Sequence, residues 1–448
     1  MVLTPTRFSS RQRVVLLVLL GAGFMLSVDF SILNVALPEA GAGVGLATAD
    51  LPWIASAYAL PAAGFTLLFG RLADLFGRRR LLLTGMVLLA ASSLLGGFAA
   101  NPETLLIARA LQGFATAMTI PAALSLLTTT FTEGPQRERV LGLNGALLSG
   151  GFTVGALVGG ALVSVLTWRA AFFVNVPVAI AVLVAAPFVI AESRTPDRAK
   201  LDVPGAVTVT GGLLAIVYAA IEQHVVAAIV GVLLLAAFWR IEVRSPAPLA
   251  PLRILRRASV KWGNIAGFVV FVMEPAMIFL TTLYLQQVLN LTPLVTGLIF
   301  GVPGLAAVLA GPVAGRLIGR VGNRTVLVTG LTVQALATAP LLFLGADRLS
   351  LAILVPALFI GFFGHVSAIV AFTVTATSGL PDAEQGLATG LTSMTQQVAI
   401  TVGIPLLSAV AATQASQLAG LHLALGVNVV VTLACVALIH FRLRDVAQ

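Results

Sequence analysis

The sequence predicts an all-α polytopic membrane protein. It reads as two pseudo-symmetric six-helix bundles with two extra central helices, fourteen transmembrane helices in all, and both termini cytoplasmic. Three observations predict it. Hydrophobic residues fill 58% of the 448 positions and charged residues only 10%, where a soluble domain carries about 25% charged residues. The apolar residues gather into runs of bilayer length. A short charged loop between two of those runs returns in the second half of the chain.

With a mean hydropathy of +1.04, the chain cannot cover a water-facing surface. Each span must be a helix, because lipid offers backbone groups no partners. Runs of about 20 residues are expected for a bilayer. They fall at 14–37, 51–70, 81–100, 104–128, 139–164, 170–190, 204–221, 225–241, 262–287, 293–315, 325–345, 350–376, 387–412 and 420–440. The first run has no small-residue cleavage site behind it and reads as a retained span. Six runs precede a basic segment at Glu192–Asp202, two short ones follow, and a second basic linker, Arg240–Lys261, leads into the last six. The expected organisation is a bundle over 1–191, linkers with two extra helices over 192–261, and a bundle over 262–448.

Lys and Arg set the orientation. With the N-terminus cytoplasmic, every Lys and Arg falls inside except Arg109, Arg169 and Arg348. The net charge of +9 is therefore topological, and nucleic acid is not an expected partner.

The recurring loop is Gly70-Arg71-Leu72-Ala73-Asp74-Leu75-Phe76-Gly77-Arg78-Arg79-Arg80. Its counterpart is Gly315-Arg316-Leu317-Ile318-Gly319-Arg320-Val321-Gly322-Asn323-Arg324. Leu46 to Arg80 aligns with Leu291 to Arg324 with one single-residue gap. Internal duplication of membrane bundles is characteristic of secondary transporters, whose sites lie between the repeats.

A charge at the bilayer centre costs at least ~2.5–3.5 kcal/mol, so ionisable residues within spans are functional candidates. Asp29, Arg109, Glu274 and His365 lie in the first, fourth, ninth and twelfth runs. Without the two extra helices, these are the first and fourth helices of each half. Asp29 is about sixteen residues into its run, or ~24 Å at the helical rise. Asp29 and Arg109 then share the outer third of the membrane, where they could pair or face one cavity. Two readings stand for each group. Asp29 and Glu274 carry protons, or Asp29 caps a helix end with Asn34 and Glu274 lines a hydrated kink at Pro275. His365 lines the cavity or is a satisfied core histidine. Met273, Met277, Phe279 and Tyr284 around Glu274 suit a lipophilic or cationic ligand, or simply pack.

Gly151, Gly155 and Gly159 share one helix face, with Gly160 beside them, and would let helices approach closely. No phosphate-binding loop, metal-ligand spacing or nucleophile–base set is present, so neither an ATP-driven pump nor an enzyme is expected. The single Cys435 excludes a disulfide framework.

Over nearly its whole length the chain resembles the major facilitator superfamily, in particular its fourteen-span drug:proton antiporter branch. Gly70-x-x-x-Asp74-x-x-Gly77-Arg78-Arg79 matches the signature loop. Asp29-Phe30-Ser31-Ile32-Leu33-Asn34-Val35-Ala36-Leu37-Pro38 resembles the branch's first-helix motif. Arg109-Ala110-Leu111-Gln112-Gly113 is similar to the fourth-helix motif, Trp168 to Pro177 to the entry of the sixth helix, and Leu283-Tyr284-Leu285-Gln286-Gln287 also fits. The resemblance implies alternating access, with Asp74, Arg78 and Arg79 as a cytoplasmic latch. It implies Asp29 and Arg109 near a proton route, and efflux of lipophilic or cationic compounds. The fifth-helix antiporter motif departs at Ala156, where the family has proline. The second loop has Gly319 in place of Asp74.

The expected function is a proton-coupled exporter, multi-pass in the bacterial inner membrane. It would work as a monomer, with a small lipophilic or cationic substrate, protons and the bilayer as partners, and the proton gradient in place of any cofactor. The expected cavity residues are Asn34, Gln112, Met273, Met277, Tyr284 and His365, and the coupling residues Asp29, Arg109 and Glu274. The alternatives are a dedicated exporter of one endogenous metabolite or lipid, and a non-transporting membrane sensor.

Overall fold

Caps written in the sequence start and stop the long helices. Ser9 and Gln12 form a capping box at the start of α1 (Ser10–Val44), which ends where Gly45 turns left-handed at φ +80°. Asn101 caps α4 (Pro102–Thr130), Asp202 caps α7 (Val203–Glu222) and Thr292 caps α10 (Pro293–Val321). Each of these three begins with proline at its first turn, where the missing N–H costs nothing. The remaining helices are α2 (Pro52–Phe76), α3 (Arg78–Gly97), α5 (Pro135–Val165), α6 (Ala170–Val189), α8 (Val225–Arg244), α9 (Ala258–Val288), α11 (Asn323–Phe343), α12 (Arg348–Thr377), α13 (Asp382–Ala412) and α14 (Gln417–Arg442). The computed structural model describes residues 8–131, 135–193, 202–245, 248, 254, 256–378, 380 and 382–443. Among the described residues, twelve helices are long and apolar enough to cross a membrane. The basic residues at 194, 198, 200 and 253 lie outside the described residues.

The helices pair in the same way twice. α1 packs on α5, α2 on α4, and α3 on both α4 and α6; in the second half α9 packs on α13, α10 on α12, and α11 on both α12 and α14. The halves meet along α5–α10 and α2–α13. α7 lies against α2 and α13, and α8 packs on α7. α1 starts earlier than its apolar run suggests, at the Ser9 capping box, and ends later, because Pro38 is accommodated within the helix. Asp29 is consequently the twentieth of its 35 residues, at mid-helix and not near an end.

Among the described residues, the close contacts between the halves gather toward the face opposite the chain termini. An added Cβ at Gly160 would lie 2.5 Å from Pro293 O, and one at Gly297 2.5 Å from Ala156 O. The Leu294 amide donates to Ser164 Oγ (2.9 Å), Gln286 Nε2 to Val35 O (2.9 Å) and Thr401 Oγ1 to Ala59 O (3.1 Å). The same helix faces run on to Gly150 of α5 and to Gly311 and Gly315 of α10, where an added Cβ meets nothing within 4 Å. Among the described residues the halves are thus joined toward one face and part, leaving a crevice, toward the face that carries the termini.

This seal depends on backbone approaching backbone, so a side chain at Gly160 must push the halves apart. Overpacking of this kind costs about 1–3 kcal/mol. We expect Gly160→Val to raise the reactivity of an Ala156→Cys thiol toward a membrane-impermeant maleimide several-fold. Cys435 is buried and gives little background. Unchanged labelling would show that the seal does not rest on this crossing.

Candidate functional site

The first half is built around one buried ion pair. Asp29 on α1 and Arg109 on α4 are 0% and 1% exposed, with Arg109 Nη1 3.3 Å from Asp29 Oδ2. The same nitrogen donates to Gln112 Oε1 (2.8 Å), one helical turn on, and Arg109 Nε donates to the Ile54 carbonyl on α2 (3.2 Å). The guanidinium lies 4.4 Å from the ring centre of Tyr58, whose hydroxyl bonds Thr116 Oγ1 at 2.8 Å. Asp29 Oδ1 accepts from Gln112 Nε2 (3.0 Å) and from Asn175 Nδ2 on α6 (2.5 Å). Both amides also donate to Ser93 Oγ on α3, at 3.0 and 3.1 Å. Five of the six helices of this half therefore converge on one carboxylate, which accepts three hydrogen bonds and is closed to water.

The second half has a counterpart that is not closed in this way. Glu274 stands as far after Asp29 as Gly315 stands after Gly70. Its residue is 9% exposed, and its carboxylate has neither an ion pair nor a hydrogen-bond partner among the described residues. His365 on α12 lies between Phe271 (6.2 Å) and Phe362 (5.7 Å) with its Nδ1 unpartnered. Gln334 Oε1 on α11 is likewise buried and unpartnered. Asn428 on α14 donates to the Met273 carbonyl at 3.1 Å, in parallel with Asn175 on α6 of the first half.

The expected site residues separate into groups. Asp29, Arg109 and Gln112 are joined directly. Glu274 and His365 lie on adjacent helices of the other half. Asn34 is buried on α1 outside the Asp29 network. In this state Met273, Met277 and Tyr284 are packed within the second half: Met277 Sδ accepts from Thr338, and the Tyr284 hydroxyl donates to Gly345 O at 2.7 Å. On α5, Gly151, Gly155 and Gly159 meet α1, while Gly160, turned about 100° from Gly159, meets α10. Among the described residues no three His, Cys, Asp or Glu side chains come together as a metal site requires.

The signature loop is fastened by a residue the sequence did not single out. Gly77 turns at φ +114°, and an added Cβ there would lie 2.7 Å from the Glu192 carboxylate carbon. Glu192, just past α6, accepts from the backbone amides of Arg79 (3.0 Å) and Arg80 (3.2 Å). It therefore caps α3 from more than a hundred residues away, where an anion is favoured. Arg79 Nη1 donates to Ile190 O (3.0 Å), and the Arg78 amide to Ser193 O (3.1 Å). Gly70 lies within α2, and the Asp74 side chain lies outside the described residues. In the second loop, Arg324 Nη2 donates to His440 O at 2.6 Å, tying α11 to α14 as α3 is tied to the end of α6. An isolated glutamate opening a basic linker was the available signal.

The family model for the Major Facilitator Superfamily matches residues 19–404. The chain belongs to that superfamily. It is a transporter and not an enzyme. It is 36% identical over 408 residues to the puromycin resistance protein pur8 of Streptomyces alboniger, covering 88% of this chain and 81% of that one. It is 35% identical to the cephamycin export protein CmcT of Amycolatopsis lactamdurans, covering 86% and 82%. It is 31% identical to the multidrug resistance protein Stp of Mycobacterium tuberculosis H37Rv, covering 92% and 79%. In fold it is similar to a crystal structure of the peptide transporter POT in complex with sulfate. The TM-score is 0.74 at 17% identity, over 98% of this chain and 97% of that one.

Two outcomes follow for this superfamily member. Arg109→Ala leaves Asp29 buried without its cation and should destabilise the protein by about 3–5 kcal/mol. Thermal unfolding in detergent should show Arg109→Ala well below an Asp29→Asn, Arg109→Gln double variant; equal midpoints would mean that the charges are not coupled. Glu192→Ala removes a cap worth about 1 kcal/mol, and hydrogen exchange at the first turn of α3 should accelerate accordingly.

Proposed function

We propose that this transporter is a proton-coupled exporter of lipophilic or cationic small molecules, working by alternating access. The observation that carries the coupling is the inequality of two equivalent acids: Asp29 is neutralised by Arg109, whereas Glu274 has no partner among the described residues. A buried carboxylate without a cation is a group that can be loaded with a proton or a cation, but not both. Export as the direction of transport is supported by relatives named for antibiotic resistance and multidrug efflux. The membrane potential supplies ~2.3 kcal/mol per charge per 100 mV, enough for accumulation of some tens-fold.

Fourteen spans are the reading we favour. α2 and α5, of 25 and 31 residues, join the twelve apolar helices in the same bundle. The distribution of Lys and Arg supports cytoplasmic termini, and the crevice then opens to the cytoplasm, the side from which an exporter loads. The Arg-rich, Lys-poor composition supports a bacterial inner membrane. We infer a monomer, since one chain holds both halves of the cavity.

A second reading is a dedicated exporter of one endogenous compound, which the likeness to a cephamycin export protein and a probable actinorhodin transporter favours.

Transport of ethidium into inverted vesicles under an imposed pH gradient tests the first reading. Wild type should accumulate the dye, and Glu274→Gln should abolish gradient-driven accumulation while dye binding survives. Accumulation by Glu274→Gln at the wild-type rate would remove Glu274 from coupling. No transport of any dye in a broad panel would favour the dedicated exporter.

A further inference from the structure

Asp29 is already saturated with donors. Gln112, Asn175 and Arg109 all point N–H groups at it, so a proton arriving on this carboxylate would find no acceptor unless a neighbour changed role. Two groups beside it have unused capacity of the opposite kind. Asn175 is fully buried with its Oδ1 unpartnered. Ser93 Oγ accepts from both Gln112 and Asn175, which leaves its own O–H without an acceptor among the described residues. A half-turn of the Asn175 amide exchanges Oδ1 for Nδ2. The carbonyl oxygen would then stand where Nδ2 stands now, within hydrogen-bond distance of both Asp29 Oδ1 and Ser93 Oγ.

We propose that Asn175 is the positioning residue that passes the protonation of Asp29 to α3 and α6, by donating to Asp29 and Ser93 when Asp29 is charged and accepting from both when it is protonated. No covalent step is involved: the proton stays on Asp29, and one amide reverses. Arg109 on α4 and Tyr58 on α2 are the charged and titratable groups that face Asp29. α3 and α6 bring Ser93 and Asn175; α5 meets α1 through glycines and through Ser31, which donates to Phe152 O; α9 meets α1 through Gln286 at Val35.

The reach of the switch follows from the helices that carry it. Asn175 is on α6, whose far end leads into Glu192, and Ser93 is on α3, whose first turn Glu192 holds. The α3–α6 pair is therefore bonded at Asp29 and again at the signature loop, about 20–25 Å apart at 1.5 Å per residue. A change in the Asn175–Ser93 bond at one end bears on the seating of the latch at the other.

This inference rests on the proton-coupled reading, and the test separates the two. Purified protein in liposomes is assayed with ethidium for accumulation driven by a pH gradient and for gradient-free exchange, across a range of pH. In Asn175→Leu, which can neither donate nor accept, gradient-driven accumulation should fall by about tenfold or more, in keeping with loss of a buried hydrogen-bond partner, and exchange should fall far less. Asn175→Asp is nearly isosteric and places two carboxylates on one proton. It should move the pH profile of driven transport toward alkaline pH by about one unit or more. Equal losses of exchange and driven transport in Asn175→Leu would assign Asn175 a purely structural role and overturn the inference, as would an unmoved pH profile in Asn175→Asp. Should Asn175→Leu fail to insert, the Asn175→Asp profile decides alone. If wild type itself ignores the gradient, the coupling reading falls, and this inference with it.

Discussion

A guanidinium that is 1% exposed in the middle of an apolar bundle dictates much of the first half. Arg109 cannot shed its charge, so everything around it has to supply negative charge or carbonyl oxygen. Asp29 supplies the charge, Ile54 and Gln112 the oxygens, and Tyr58 a ring face. Asp29 is on α1, Ile54 and Tyr58 are on α2 and Gln112 is on α4 beside Arg109, so α1, α2 and α4 must meet at one depth. Satisfying Asp29 in turn draws in α3 and α6. The glycines of α5 then let it lie directly on α1. Breaking the pair by removing one partner leaves an unpaired buried charge, which is why such pairs are costly to disrupt even when their net contribution to stability is small.

The duplicated fold does not duplicate this constraint. The second half keeps the acid on its first helix and an asparagine on its last, but its fourth helix offers His365 instead of an arginine. A histidine can be neutral, so nothing obliges Glu274, Gln334 and His365 to saturate one another, and they do not. The latches differ in the same sense. Arg79 and Arg80 hold an anion, Glu192, while among the described residues Arg324 donates to a carbonyl, that of His440. In both places the first half is locked by full charges and the second by dipoles.

Much of this was legible in the sequence where the signal was a cost. Asp29, Arg109 and Glu274 stood out because a charge in an apolar run is expensive, and the repeated loop stood out because its spacing recurs. Asn175 and Ser93 gave no such signal: a neutral amide and a hydroxyl are tolerated in spans, and only the tertiary structure shows that Asn175 touches Asp29 and that Ser93 accepts from Asn175 and Gln112. Glu192 was hidden among basic residues, and its role as the cap of α3 depends on α6 running antiparallel beside α3. Met273, Met277 and Tyr284 were candidates for a cavity from their types and their places around Glu274; in this state they are buried, with Thr338 against the Met277 sulfur and Gly345 O accepting from the Tyr284 hydroxyl. Gly160 was grouped with Gly159 by adjacency, although a one-residue step turns it from α1 to the other half.

The asymmetry of the two halves gives the proposed cycle a direction. In the state described here the crevice opens toward the termini, and Asp29 is sealed with three donors on it, so neither water nor substrate reaches that carboxylate without motion of α1, α4 or α6. Glu274 is also buried, at 9% exposed, but its carboxylate has no partner among the described residues. The helices that hold Asp29 include α6, which leads into the cap at Glu192. Two acids at equivalent positions are in this way held differently, one without a partner among the described residues and one tied to the helices around it. Full saturation of only one of them is what sets the two acids apart.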